Sequence, residues 1–465
     1  MAYRREHDLL GELHIPKDAY YGIHAQRAAA NFNVSGRQVH PEVIKALAQV
    51  KLAAAETNMA LGHLEKRVGG AICQAAAEVA EGQFFDQFIV NELQGGAGTS
   101  THMNINEVIA NRAIELLGGE KGSYDLIHPL DHVNLSQSTN DVYPTALRIA
   151  AIRLFFPLSK AFALLQRELH RKEKEFAGVL KVGRTQLQDA VPVTLGQEFA
   201  AYAQAVSRDR VRISKAGERL YRINLGGTAI GTGLNADKKY TSMVVDRLRT
   251  LTGFRLAPSK NLIDGTQNPD AFMEVSGMLK TAATTLLKIS SDLRLMSSGP
   301  RAGLGEIRLP QLQAGSAIMP GKVNPVMPEM LSQVAYEVIA RDLAVTLAAQ
   351  AGQLELNAFL PLVAVNLLPA IETLTNAIRL FTEKCVAGIE ANDERCLKTV
   401  LNSTGILTVL AHRIGYEKAT ELAHRALESN IPVRDAILES GLVTADDLDA
   451  LMSVGKMTNT AHTEH

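Results

Sequence analysis

The segment Gly315-Ser316-Ala317-Ile318-Met319-Pro320-Gly321-Lys322-Val323-Asn324-Pro325 sets a hydroxyl, an ammonium and an amide within one short stretch. Two glycines and two prolines interrupt the helical patterns on either side, so it reads as an exposed loop rather than core. In such a loop Ser316 could take a proton from a substrate carbon once its own is lost. Lys322 could neutralise an anion there, and Asn324 could orient a carboxylate.

Three further polar turns carry similar groups. Gly95-Gly96-Ala97-Gly98-Thr99-Ser100-Thr101 precedes a helical run through Leu117. It lacks the lysine of a phosphate-binding P-loop, and no strand pattern leads into it. What remains is a turn that delivers Thr101 and backbone N–H groups to a helix start, which suits a carboxylate; an ordinary capped turn explains it equally. Asn134-Leu135-Ser136-Gln137-Ser138-Thr139-Asn140-Asp141 stands before an apolar stretch from Tyr143 to Leu169. Helix capping accounts for one of its polar residues, and the surplus, Ser138, Thr139 and Asn140, suits an anion at the positive end of the helix. In the third turn, Gly183 to Ala190, Thr185 and Gln186 are either turn residues or ligands, and a helical pattern follows from Thr194 to about Tyr221.

Long helices must position these turns. Phe272, Val275, Leu279, Ala282, Leu286, Ile289, Leu293 and Met296 alternate spacings of three and four, which predicts one core-facing helix from Asn268. Further helical patterns run from Pro328 to about Leu356 and from Leu360 to Cys385, the latter interrupted by Pro361 and Pro369. Helices are also expected over Pro41–Leu61 and Ala71–Phe88, with Gly62 and Gly69-Gly70 marking the break. Met1 to about Asn33 reads as an irregular start, the part after Gly388 as short helices with a cap at Thr444, and Lys456 to His465 as a disordered tail. The expectation is an all-α chain of three domains, 1–140, 141–390 with a long central helical bundle, and 391–465.

Composition narrows the function. The 465 residues carry a formal net charge of -1, which provides no basic field for nucleic acid or an anionic membrane. An acidic stretch from Glu439 to Leu451 disfavours a DNA-reading helix pair at the carboxy terminus. No uninterrupted apolar run reaches the ~20 residues of a membrane span. Cys73, Cys385 and Cys396 lack disulfide or zinc spacing and read as inert thiols of a cytoplasmic protein. No cofactor is expected, and no His, Cys or carboxylate cluster has convincing metal-ligand spacing.

The loop from Gly315 to Pro325 resembles the signature of the fumarate-forming lyase superfamily, Gly-Ser-Ser-x-Met-Pro-x-Lys-x-Asn-Pro, with Ala317 where the second serine is usual. The turns at 95–101, 136–141 and 183–190 and the segment Gly226 to Asn235 are similar to their counterparts in the fumarase and aspartase branch. The likeness extends from Tyr20 to about Leu451. It implies a homotetramer whose central helices join into one bundle, with active sites shared between subunits. It also implies Ser316 as the base, Thr101, Ser138 and Thr139 around the carboxylate next to the abstracted proton, Lys322 and Asn324 around the other carboxylate, and Asn140, Thr185 and Gln186 around the leaving group. Gln186 stands where fumarases usually carry histidine, and its amide oxygen can accept from an ammonium, so the branch that releases ammonia from aspartate is favoured over fumarate hydration. His102, where asparagine is usual, is a second departure. Divalent-metal activation occurs in some members, and the segment with His128, Asp131 and His132 corresponds to a secondary anion site; ordinary surface residues explain it as well.

Overall fold

The structure, a computed structural model, describes residues 2–458 and is predominantly α-helical. In chain order its elements begin with the strands β1 (Tyr3–Asp8) and β2 (Gly11–Pro16) and the helices α1 (Ile23–Asn31), α2 (Pro41–Ala60), α3 (Lys66–Ala80), α4 (Thr99–Leu116) and α5 (Thr139–Glu175). The hairpin β3 (Leu180–Thr185) and β4 (Gln188–Thr194) follows, then α6 (Leu195–Arg219), α7 (Tyr240–Thr252), α8 (Leu262–Gln267), α9 (Asp270–Met296), α10 (Val326–Gln350) and α11 (Leu360–Lys384). Six short helices complete the described residues, α12 (Asp393–Asn402), α13 (Gly405–Ile414), α14 (Tyr416–Glu428), α15 (Val433–Glu439), α16 (Ala445–Leu451) and α17 (Val454–Thr458).

Contacts divide the chain into two units. The first comprises the chain up to Ser159, Val211–Thr281 and Tyr336–Leu374; the second comprises Lys160–Arg210, Ala282–Ala335 and the chain from Thr375 onward. In the first, α2 packs on α3 and α7, α3 on α4, and α1 on α4. The two glycines expected to break a helix instead lie inside α3. A Cβ on Gly69 would sit 2.4 Å from the Met59 side chain, so the glycine is what allows α3 to approach α2 so closely. In the second unit the β3–β4 hairpin rests on the carboxy-terminal helices, with Leu180 and Val182 in one cluster with Val400, Ile406, Leu410 and Ile437.

The apolar series on α9, from Phe272 to Met296, is buried at every position, as its spacing requires. Proline does not interrupt α11. Pro369 removes the donor that would have bonded the carbonyl four residues earlier, and Arg341 Nη1 donates to that Val365 oxygen at 2.9 Å instead. The amino terminus is not irregular, since β1 and β2 pair antiparallel from Tyr3 opposite Pro16 to Asp8 opposite Gly11. Its charged, largely exposed strands lack the apolar alternation by which strands are read. Thr444 caps α16 by accepting from Asp447 N. Lys456, expected in a disordered tail, lies in α17, and residues 459–465 are outside the described residues. Thr139–Glu175 and Leu360–Gly388 are long and apolar enough to cross a membrane, but 56% of each apolar window is buried inside the protein, as in a core helix.

Candidate active site

Thr101, Ser138, Thr139 and Asn140 lie in the first unit, at the starts of α4 and α5. Three successive left-handed residues, Gly96, Ala97 and Gly98, turn the chain into α4. A Cβ on Gly98 would lie 2.4 Å from the Tyr143 ring, so at this φ of +96° only glycine fits. The buried Thr101 directs both its N–H and its hydroxyl to Gln94 Oε1, each at 3.0 Å. The donors expected to meet a carboxylate are therefore already engaged by an amide oxygen.

At α5 the caps are reciprocal. Ser138 Oγ accepts from Asn140 N at 3.2 Å, and Asp141 Oδ1 accepts from Ser138 N at 2.9 Å, a capping box with aspartate at its far end. The other carboxylate oxygen of Asp141 accepts from Gly226 N at 2.9 Å and Thr228 N at 3.0 Å. Burial pushes the Asp141 carboxyl up to about 6, against the lowering effect of its N–H donors. Asn140 Nδ2 donates to Ala229 O at 2.7 Å, and Asn224 Nδ2 donates to Asn140 O at 3.0 Å. The helix start and the 224–229 segment are thus tied at several points.

His102 joins the two helix starts, because its Nδ1 lies 2.8 Å from Thr139 Oγ1. Its Nε2 lies 2.5 Å from Nζ of Lys51, a fully buried lysine of α2 that also donates to Asn134 Oδ1 at 3.0 Å and Gln137 Oε1 at 2.9 Å. Burial holds the Lys51 ammonium well below its usual range, and burial with the neighbouring Lys51 does the same to His102. Sequence reading missed Lys51 and gave Asp141 only a capping role. The available signal for Lys51 was a lysine among the apolar residues of Ala48 to Ala55.

Thr185, Gln186, Ser316, Lys322 and Asn324 lie in the second unit. Thr185 and Gln186 are exposed at the tip of the β3–β4 hairpin, where Gln186 and Leu187 have φ of +54° and +62°. That two-residue turn normally takes asparagine and glycine. An ion network around the buried Lys181 and Glu306 holds its base: Lys181 Nζ is 2.6 Å from Glu198 Oε1 and 3.1 Å from Glu306 Oε2, and Arg184 Nη1 is 2.7 Å from Glu306 Oε1. Above it opens a cavity of about 430 Å³ whose walls include Gln186, Arg184, Lys288 and Asp292.

The loop from Gly315 to Pro325 is clipped at its neck. Asn324 Nδ2 donates to Gly315 O at 2.6 Å, and a Cβ on Gly315 would fall 1.9 Å from Lys322 O. Ser316 Oγ accepts from two backbone groups, Ile318 N at 3.2 Å and Met319 N at 3.0 Å. Both bonds favour a negatively charged oxygen there. Lys322 is exposed and, among the described residues, pairs with no acid.

A family model described as lyase matches residues 11–340, and one described as fumarase C C-terminus matches residues 406–459. The chain belongs to the fumarase and aspartase family of lyases. It is 51% identical over 456 residues to an aspartate ammonia-lyase of Bacillus sp, covering 98% of this chain and 97% of that one. The crystal structure of a Brucella melitensis fumarate lyase:delta crystallin bound to cobalt superposes with a TM-score of 0.95 at 47% identity, covering 98% and 99% of the two chains. A class II fumarase from Schistosoma mansoni superposes at 0.93 with 35% identity and the same coverage. This lyase thus retains the family architecture from end to end. Among its described residues no three His, Cys, Asp or Glu side chains cluster as metal ligands.

Proposed function

We propose that this lyase eliminates ammonia from L-aspartate to give fumarate. The observation that carries the reading is identity near one half, along almost the whole chain, to proteins named aspartate ammonia-lyase. In the proposed reaction Ser316, as alkoxide, takes a proton from the carbon beside one carboxylate. The electron pair moves into that carboxylate to form a dianionic aci-carboxylate. It then returns to make the carbon–carbon double bond while the carbon–nitrogen pair leaves with ammonia. The two N–H groups on Ser316 Oγ support its role as base.

Ser138 and Thr139 meet the reacting carboxylate. The Ser138 oxygen already accepts from Asn140 N, which leaves its proton to donate outward. Thr101 contributes if the Gln94 amide gives way to the substrate. Lys322 and Asn324 hold the second carboxylate, while Asn140, Thr185 and the Gln186 amide oxygen surround the ammonium. We assign assembly of the two residue sets to a homotetramer with shared sites. Tyr336, Leu343 and Leu347 of α10 support that assignment, being large, exposed and spaced by seven and four as on a face that another copy would cover. The free thiols support a cytoplasmic setting.

The test is incubation of the purified protein with L-aspartate or with malate, following fumarate by absorbance and ammonia by coupled assay. Fumarate and ammonia from aspartate bear the reading out. Fumarate from malate alone replaces it with the hydratase reaction, for which the 35% identical fumarase neighbour speaks.

A further inference from the structure

We propose that Lys51 and His102 are positioning residues that aim the Thr139 hydroxyl proton at the substrate and pass the Lys51 charge to it through one imidazole. This rests on the reading of Thr139 as a carboxylate holder. Both contacts belong to the first unit, and neither involves the residues assigned to proton abstraction.

The direction of the chain follows from its far end. Gln137 Nε2 donates to Val133 O and Leu135 O, both at 3.1 Å, so its oxygen is the atom that faces Lys51. Asn134 Nδ2 donates to Gln137 O at 3.3 Å, which turns its oxygen the same way. Two fixed acceptors and His102 Nε2 match the three N–H donors of an ammonium. Burial disfavours the Lys51 ammonium and the Asp141 carboxylate nearby opposes that, so it is the fixed acceptors around Nζ that favour the charged form. With Lys51 donating, Nε2 is the accepting nitrogen of a neutral ring and the proton resides on Nδ1. A second cation 2.5 Å from the ammonium is strongly disfavoured in a buried site. Nδ1–H then donates to Thr139 Oγ1, and the Thr139 proton, with no other acceptor among the described residues, points outward.

A hydroxyl polarised this way stabilises a dianion more than a monoanion. Its contribution therefore grows as the aci-carboxylate forms, and kcat depends on the chain more than ground-state binding does. The lysine reaches the site without exposing a charge to solvent.

Three arms test the proposal on the full-length enzyme. Lys51→Met and His102→Phe, with folding checked by melting temperature, are expected to lower kcat for aspartate about 10- to 100-fold while changing the inhibition constant of succinate less than about threefold. In a Thr139→Val background the same substitutions are expected to cost almost nothing more. Independent, multiplying losses in that background overturn the relay. Nitrogen NMR of labelled histidine reads the tautomer without turnover, and the expected state of His102 is neutral with the proton on Nδ1. A proton on Nε2 in the unmodified enzyme, which is the pattern of a neutral Lys51 and an inward-pointing Thr139, overturns the proposal even if aspartate is turned over. Absence of turnover with aspartate in the unmodified enzyme counts against the functional reading instead, while the tautomer still decides the direction of the chain.

Discussion

The two polar regions of this lyase are built in opposite ways. At the starts of α4 and α5 the polar side chains are engaged, and two of them are buried: the buried Thr101 with Gln94, Thr139 with His102, Asn140 with the carbonyl of Ala229, the buried Asp141 with three backbone N–H groups. In the loop from Gly315 to Pro325 the bonds are few and local, Asn324 to Gly315 O at the neck and Ile318 N and Met319 N to Ser316 Oγ, and Ile318 at its tip is 85% exposed. Rigid donors suit a charge whose position is set in advance, whereas a sparsely bonded loop with exposed apolar side chains suits a base that closes over substrate and excludes water.

The sharpest test of this contrast is Ser316→Ala. Its oxygen only accepts two local N–H bonds, so removal is expected to lower kcat by about 10²- to 10⁴-fold with an unchanged melting temperature. Full turnover by a folded Ser316→Ala protein would remove serine from the mechanism and, with it, the reason for a sparsely bonded, exposed loop.

Asp141→Asn probes the rigid side and is expected to reverse the pattern, with stability lost first. One amide oxygen cannot serve Ser138, Gly226 and Thr228 together, so the expected cost is about 1–3 kcal/mol in denaturant unfolding. The folded pKa of Asp141 is raised from 3.8 to about 6, so the folded state holds the proton more tightly. Its contribution to stability is full below about 3.8, declines as pH rises to about 6 and is flat above. The difference in stability between parent and Asp141→Asn should therefore vary across that window and level off beyond it. A constant difference would place the carboxylate in water.

How much could be read in advance follows the same division. Side-chain chemistry that stands in one contiguous segment was legible, as with Ser316, Lys322 and Asn324. So was the α9 seam, because a helix period repeats along the chain. Lys51 was not, since its partners Asn134, Gln137 and His102 come from distant segments and its apolar neighbours, the one local signal, do not say what a buried lysine would meet. The uninterrupted course of α11 past Pro369 depends on Arg341, supplied by another helix. The β3–β4 hairpin escaped because neither Gln186 nor Leu187 is a residue that this kind of turn selects.

Ala317→Ser tests the loop more gently. Ala317 is exposed next to Ser316, and a hydroxyl there would add one donor for an incoming carboxylate. The expected gain is about 1 kcal/mol, seen as a several-fold lower KM for aspartate with stability unchanged. An unchanged or higher KM would mean that the rigid donors of the first unit already saturate the carboxylate.

The smallest expected effect lies at the hairpin tip, which shares its unit with the sparsely bonded loop yet is strained in the manner of a fixed element. Leu187, 70% exposed, buries little that substitution could forfeit, so its left-handed backbone is the main thing a change to glycine relieves. Glycine also widens the unfolded ensemble, which cancels part of the gain, and Leu187→Gly is expected to stabilise by about 1 kcal/mol or less in denaturant unfolding. If the strain serves only to hold the Gln186 amide toward the leaving group, KM for aspartate should rise as stability does, because a glycine neighbour lets Gln186 sample other conformations. A stabilised variant with unaltered KM would make the turn a tolerated cost of the fold rather than part of the site. The ion network of Lys181, Glu198, Arg184 and Glu306 would then be what keeps the hairpin rigid.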